Sequence, residues 1–133
     1  MIHLICPSDK AATRRIERIV VAEDEVLVRL DVEHQLTEAG FIVVGSAETA
    51  DEVVRVVERE QPDLIIMDIR LAGPRDGVDA ALEIWQRFGI RCLFASGNID
   101  PESRLRACPA RPWGFISKPF TLAQLRAAIE RSN

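Results

Sequence analysis

Five polar side chains that could do chemistry together stand at or just after the ends of short apolar runs. They are an adjacent pair of acids, a third acid, a hydroxyl and a lysine: Glu23, Asp24, Asp68, Ser96 and Lys118. Three carboxylates repel one another unless a cation joins them. A few carboxylate oxygens together with water is the usual arrangement around Mg²⁺. If the chain brings these residues together, their types therefore indicate a Mg²⁺ site.

Lys118 stands out because the chain has 15 arginines and only 2 lysines. A compact ammonium group does a different job from a planar guanidinium, so this lysine needs a specific role. Acids at strand ends also have an ordinary explanation, because the positive end of the following helix favours them. That explanation covers a single acid but not a cluster of acids matched by Lys118. We therefore favour a functional site.

The elements that would position these residues alternate between short apolar runs and amphipathic stretches. The runs predict strands at 19–22, 41–45, 64–67, 91–95 and 114–117, and the stretches predict helices at 25–39, 49–60, 78–88, 101–108 and 121–131. Uniformly apolar strands that alternate with helices indicate an α/β fold with a parallel sheet covered on both faces. In such sheets the ligand site lies at the carboxyl ends of the strands, where these polar residues fall.

Length and charge exclude several classes of protein. The chain has 133 residues, which suits one domain, and a net charge of −4, which argues against a nucleic-acid-binding protein. No apolar run is long enough to cross a membrane, and the opening residues 1–6 are too short for a signal peptide. We expect a cytoplasmic protein with an extension at 1–17 and a folded domain at 18–133. The three widely spaced cysteines predict neither a disulfide framework nor a zinc site.

Four short motifs in order carry a resemblance to a known family. They are Val20–Glu25, Leu64–Ile69, Ser96–Gly97 and Lys118–Phe120. Together they resemble the signature of response-regulator receiver domains of the CheY-like type, over about residues 18–131. The resemblance implies a flavodoxin-like, doubly wound sheet of five parallel strands in the order 2-1-3-4-5, with helices on both faces.

The resemblance also implies a role for each acid. Asp68 would be the phosphoacceptor, which takes a phosphoryl group from a histidine kinase as an aspartyl phosphate. Glu23 and Asp24 would bind Mg²⁺ together with Asp68 and the backbone carbonyl of Arg70. The expected protein is a signalling component of a two-component phosphorelay and not an enzyme.

Three further residues take roles from the same resemblance. Ser96 and Lys118 would bind the phosphoryl group, and Phe115 would be a switch residue whose ring fills the space that Ser96 leaves. Phosphoryl transfer depends mainly on positioning and charge neutralisation, which a divalent ion and a lysine supply. A purely structural role for Phe115 in the core is the alternative.

The sequence departs from the family pattern in places that bear on the partner. The loop after Asp68 is one residue longer than usual, and Arg70 and Asn98 occupy positions that face the attacking water in this family. Residues 93–98 resemble an alphaproteobacterial subgroup with a Phe-Ala-Thr-Gly element, whose partners tend to be kinases of the HWE type. The expected partners are a histidine kinase or a phosphotransfer protein and a downstream target, with no nucleic acid or membrane. A monomer or a phosphorylation-linked homodimer is expected.

Two other functions compete with a receiver that signals by phosphorylation-dependent binding. One is a small phosphohydrolase with an Asp nucleophile, which usually carries a second Asp where this chain has Arg70. The other is a pseudo-receiver scaffold, which the intact acids and Lys118 disfavour. Because the chain ends directly after the fifth predicted helix, we expect the output to be binding. The arginines and tryptophan of the fourth helix and its flank predict an interface: Arg104, Arg106, Arg111 and Trp113.

Overall fold

The computed structural model describes residues 15–130. Its strands are β1 (Arg18–Ala22), β2 (Ile42–Ala47), β3 (Leu64–Met67), β4 (Cys92–Ser96) and β5 (Gly114–Ser117). Its helices are α1 (Val26–Glu38), α2 (Ala50–Glu60), α3 (Gly77–Phe88), α4 (Pro101–Ala107) and α5 (Leu122–Glu130), and a 3₁₀ turn follows α4 at Cys108–Ala110. The strands form one parallel sheet in the order β2-β1-β3-β4-β5. The predicted flavodoxin-like, doubly wound fold is confirmed.

The sheet separates two apolar cores, because successive strand residues face opposite sides. In β1, Val20 packs into the core that α2 and α3 cover, whereas Val21 packs into the core under α1 and α5. The second core includes Leu36 of α1 and Leu125 of α5, both of which are fully buried. These two layers hold the strand ends rigidly at one edge of the sheet.

Helix boundaries follow the capping residues. Thr49 and Thr121 accept hydrogen bonds from the backbone N–H groups of Glu52 and Gln124, as expected for N-caps. The predicted helix at 101–108 ends at Ala107, because the chain tightens into the 3₁₀ turn at Pro109. The other boundaries lie within two residues of the predictions wherever the chain is described.

Two single residues bear on expectations from the sequence. Cys108 is disulfide-bonded, although the three widely spaced cysteines predict no disulfide framework; sequence spacing does not report which thiols lie close together in the fold. Cys92 is free and buried in β4. Trp113, which the sequence predicts at an interface, is half-buried, and its indole N–H donates to the carbonyls of Ala128 and Ile129, with Nε1 3.1 Å and 3.0 Å from the two oxygens. It therefore anchors α5 beside β5.

The predicted extension at 1–17 falls largely outside the described residues. Among residues 15–130, none of the helices combines the length and the apolar character that crossing a membrane requires.

Candidate functional site

The strand register brings the first acids together. Ala22 of β1 pairs with Met67 of β3. Glu23 and Asp68, which directly follow these two residues, therefore lie side by side at the carboxyl edge of the sheet. The Asp68 N–H donates to the Ala22 carbonyl at 3.0 Å, and the Glu23 N–H donates to the Ala47 carbonyl at 2.9 Å. Continuation of the sheet hydrogen bonding past the strand ends therefore fixes the backbone of both acids.

Glu23, Asp24 and Asp68 form one acidic cluster. A carboxylate oxygen from each lies within 4.8 Å of the others. Glu23 and Asp68 are only 3% and 8% exposed, whereas Asp24 is exposed to solvent. Burial of like charges is unfavourable, so the cluster needs positive charge close by.

Lys118 supplies part of that charge from the end of β5. Its ammonium group donates to Glu23 Oε1 at 2.5 Å and to Asp68 Oδ2 at 2.9 Å. Burial opposes the charged form of the lysine, but the hydrogen bonds to Glu23 and Asp68 outweigh it and raise the pKa of Lys118 above its ordinary value of 10.5. The ammonium group is therefore charged at neutral pH and joins the two buried acids.

The remaining charge of the cluster favours a further cation. Three carboxylates against one bonded ammonium group leave an excess of two negative charges. Asp68 has one oxygen on Lys118 and the other, Oδ1, on the N–H of Arg70 at 3.1 Å. The donor set is all oxygen and partly open to water on the Asp24 side, which suits Mg²⁺. The residues present thus fit this ion.

The two ends of the loop between Asp68 and α3 meet in a close backbone contact, which we call the neck of the loop and which joins Gly77 to Asp68 and Ile69. Gly77, the first residue of α3, donates its N–H to the Ile69 carbonyl at 2.6 Å. A Cβ atom at Gly77 would lie 1.9 Å from the Asp68 carbonyl oxygen. Only glycine fits at this contact, so the backbone of α3 directly supports the backbone of Asp68.

Ser96 and Phe115 lie at the same edge, from β4 and β5. Ser96 is 4% exposed, and its carbonyl accepts the N–H of Lys118 at 2.9 Å. The Phe115 ring stacks on buried Phe94, with their centroids 5.3 Å apart. The strand pairing therefore places the predicted hydroxyl, the predicted switch aromatic and Lys118 in one neighbourhood.

The two residues at the water-facing positions of the family have different surroundings. Arg70 is exposed, and its side chain stands at the start of the loop after Asp68. The Asn98 N–H lies 3.5 Å from Ser96 Oγ, a long hydrogen bond that holds the start of the β4–α4 loop. The position of the Arg70 carbonyl as a metal ligand stays a prediction.

The fold and the site together define a class of protein. Residues 19–130 match the family model described as the response regulator receiver domain. The chain belongs to this family, whose members act in two-component signalling. The prediction that the chain is a regulator and not an enzyme is confirmed by this family and by the names of its relatives.

Particular relatives support the assignment over most of the chain. The transcriptional regulatory protein PdtaR of Mycobacterium tuberculosis is 35% identical over 93% of this chain and 60% of its own length. The chemotaxis protein CheY of Bacillus subtilis is 30% identical over 86% of this chain and 96% of its own length. The signal receiver domain of a modulated diguanylate cyclase from Desulfovibrio desulfuricans superimposes with a TM-score of 0.81 at 28% identity, covering 89% of this chain and 94% of that domain.

The chain spans 60% of the length of PdtaR, so what that whole protein does is not carried over.

Sequence reasoning missed the contacts behind the loop after Asp68. Asp76 and Asp79 form a capping box at the start of α3, in which each side chain accepts the backbone N–H of the other. The spacing of the two acids, with Gly77 between them, was the available signal. It also missed that Arg106 of α4 reaches these acids.

Proposed function

We propose that this chain accepts a phosphoryl group on Asp68 from a histidine kinase or phosphotransfer protein and signals by phosphorylation-dependent protein binding. The observation that carries the proposal is the setting of Asp68. It is a buried carboxylate at the carboxyl edge of a parallel sheet, bonded to Lys118 and adjoining two more acids. Such a setting positions a nucleophile and neutralises the charge that arrives on it.

The chemistry follows from the positions of the side chains. An Asp68 oxygen attacks phosphorus and forms a P–O bond while the P–N bond of a phosphohistidine breaks, and the departing imidazole takes a proton from water. Lys118 already contacts Asp68 Oδ2 and would follow the charge onto the phosphoryl oxygens. The Ser96 hydroxyl would donate to one of those oxygens.

Mg²⁺ would be held by Glu23, Asp24, Asp68 and the Arg70 carbonyl. When bound, it supplies charge neutralisation to the transferred group.

Two competing functions make different predictions in one experiment. The purified chain is incubated with a small phosphodonor and Mg²⁺, and intact mass is followed with time. A stable gain of roughly 80 Da, one phosphoryl group, supports the receiver. Turnover of the donor without accumulation would indicate a phosphohydrolase, and absence of both would indicate a scaffold. The exposed Arg70, where such hydrolases carry an acid, favours the receiver over the hydrolase.

Mg²⁺ is expected to raise the melting temperature, because it relieves repulsion within the acidic cluster. Binding is expected to be weak, because most of the ligands of the ion are water. Thermal melts with and without millimolar Mg²⁺ measure the effect. Asp24→Asn should abolish the shift, and Asp31→Asn, at an exposed acid of α1, should retain it. Equal melting temperatures of the wild type with and without saturating Mg²⁺ would argue against a preformed site.

The surface next to Lys118 supports a helical phosphodonor as the partner. A groove of about 440 Å³ runs between α1 and the β5–α5 loop, and its lining includes Leu27, Val28, Lys118 and Phe120. Leu27 is 81% exposed, the highest exposure among the large apolar side chains described as exposed. An apolar groove that reaches the reactive edge would seat a helix of the donor with its phosphohistidine over Asp68.

Leu27→Asp is expected to separate docking from chemistry. Transfer from a histidine kinase that phosphorylates the wild type should slow by about tenfold or more, because an apolar anchor is lost and a charge is buried. Phosphorylation by a small donor should be unchanged, because Leu27 is exposed on α1 and Asp68 is not among the residues that line the groove. Ile42→Asp, at another exposed apolar residue away from the groove, is the matched control. Equal losses with both donors would place the defect in the site or the fold.

The finer assignments follow from this function. We place the phosphoryl transfer in the cytoplasm, where kinases obtain ATP. We assign residues 18–133 to the receiver domain and residues 1–17 to an extension. The resemblance of residues 93–98 to the Phe-Ala-Thr-Gly subgroup supports a kinase of the HWE type.

A further inference from the structure

The arginines of α4 are occupied within the molecule. The guanidinium group of Arg106 binds Asp76 through both nitrogens, at 2.9 and 3.3 Å, and reaches Asp79 at 3.1 Å. Burial disfavours the Asp76 carboxylate, but hydrogen bonds from Arg106 and from the Asp79 N–H lower its pKa below the ordinary value of 3.8. Arg104, two residues before Arg106, has its guanidinium carbon 4.4 Å from the centroid of the Phe115 ring.

The acids that Arg106 binds belong to the neck of the loop after Asp68. Asp76 is the N-cap of α3 and stands directly before Gly77, whose backbone packs against the Asp68 carbonyl. A displacement of the Asp68 backbone would therefore shift the start of α3, and with it the two carboxylates that hold Arg106. Asp68 is therefore connected to α4 by two contacts. The first is the backbone of Gly77 against the Asp68 carbonyl, and the second is the ion pair of Arg106 with Asp76 and Asp79.

The helix that these contacts hold has little other support. It has only seven residues, and Ala107 is its one fully buried side chain. A helix of two turns does not persist by itself in water, so its side-chain contacts decide its position. Single exposed ion pairs contribute little, but a bidentate arginine on two fixed carboxylates has the geometry in which such pairs are effective.

We propose that Arg106 is a positioning residue that couples α4 to the phosphoacceptor loop, with Arg104 coupling the same helix to Phe115. The proposal rests on the proposed function, because it concerns how phosphorylation of Asp68 reaches the α4 surface. It assigns to these arginines an internal role instead of direct contact with a partner. Leu105 lies between the two arginines in the sequence and is 71% exposed. A movement of the arginines would change how far Leu105 is exposed to a binding partner.

Amide hydrogen exchange of Arg106→Gln tests the coupling. In the unmodified protein, exchange across 101–107 should be about threefold to tenfold faster than in the wild type, because the ion pairs that fix the helix are lost. In the wild type, phosphorylation should change exchange in this segment. In the variant, modified to the same extent by mass, that change should fall to less than about a third. Arg106→Lys should restore part of it.

Arg126→Gln is the matched control. Arg126 is an exposed arginine of α5 whose loss changes the net charge equally. If Arg106→Gln leaves exchange across 101–107 at the wild-type rate, or if phosphorylation changes that exchange as much as in the wild type, the proposal is wrong. If the wild-type Asp68 takes up no phosphoryl group, the proposed function fails, and the exchange rate of the unmodified variant alone decides whether Arg106 fixes the helix.

Discussion

Asp68→Asn is expected to lose all phosphorylation while it keeps its fold. Asp68, the acid that the resemblance implies as the phosphoacceptor, has one oxygen on the Lys118 ammonium group and the other on the backbone N–H of Arg70. The amide of Asn has nearly the same shape but is not a nucleophile toward phosphorus. After incubation with a small phosphodonor and Mg²⁺, intact mass should show no adduct on the variant and nearly complete modification of the wild type.

The fold of this variant should survive because two effects oppose each other. The charged hydrogen bond from Lys118 to Asp68 is weakened, and the repulsion of Asp68 by Glu23 is removed. Circular dichroism and the melting temperature check this balance. Asp51→Asn, at an exposed acid of α2 outside the site, should be phosphorylated like the wild type. Modification of Asp68→Asn to the wild-type extent would show that another side chain is the phosphoacceptor.

Gly77→Ala is expected to destabilise the protein by about 3 kcal/mol, since overpacking against a rigid backbone costs this much or more. The new methyl group would sit 1.9 Å from the Asp68 carbonyl oxygen, and a backbone atom held by the sheet cannot move aside cheaply. The gain from replacing a helical glycine by alanine is at most about 1 kcal/mol and does not compensate. The melting temperature should fall by about 10 °C for a domain of this size.

The control for this substitution is Gly97→Ala. A Cβ atom at Gly97 would meet no heavy atom within 4 Å, so its melting temperature should stay near that of the wild type. If Gly77→Ala were as stable as Gly97→Ala, the neck of the loop would be able to relax. The support that α3 gives to Asp68 would then be weaker than the distances indicate.

The sequence was sufficient to predict the sheet because local patterns report burial directly. β3 has the predicted bounds because its four residues are all apolar and buried, which is typical of a central strand in a parallel sheet. β5 also has the predicted bounds, although its run ends in an exposed serine. The acids were predicted at one edge because parallel strands end on the same side. In the structure, Ala22 pairs with Met67, which places Glu23 beside Asp68, and Lys118 contacts both acids.

What the sequence did not predict depends on the packing of side chains that are distant along the chain. Arg106 and Trp113 have the composition of an interface, yet one binds acids 27 and 30 residues away and the other binds the α5 backbone. An arginine near a helix end has the same local pattern whether it faces solvent or a carboxylate. Only the position of α3 against α4 separates the two cases, and no periodicity carries that information.

The two apolar cores, one on each face of the sheet, have a consequence for folding during synthesis on the ribosome. The layer on one side of the sheet joins Val32 and Leu36 of α1 to Leu125 and Ile129 of α5, residues from opposite ends of the described chain. During synthesis, the apolar side of α1 and β1 therefore stays incompletely covered until α5 is available to pack against it. The other layer uses residues no later than Phe115, so it can close before α5 is available, and chaperones would then find the exposed apolar surface on the α1 side.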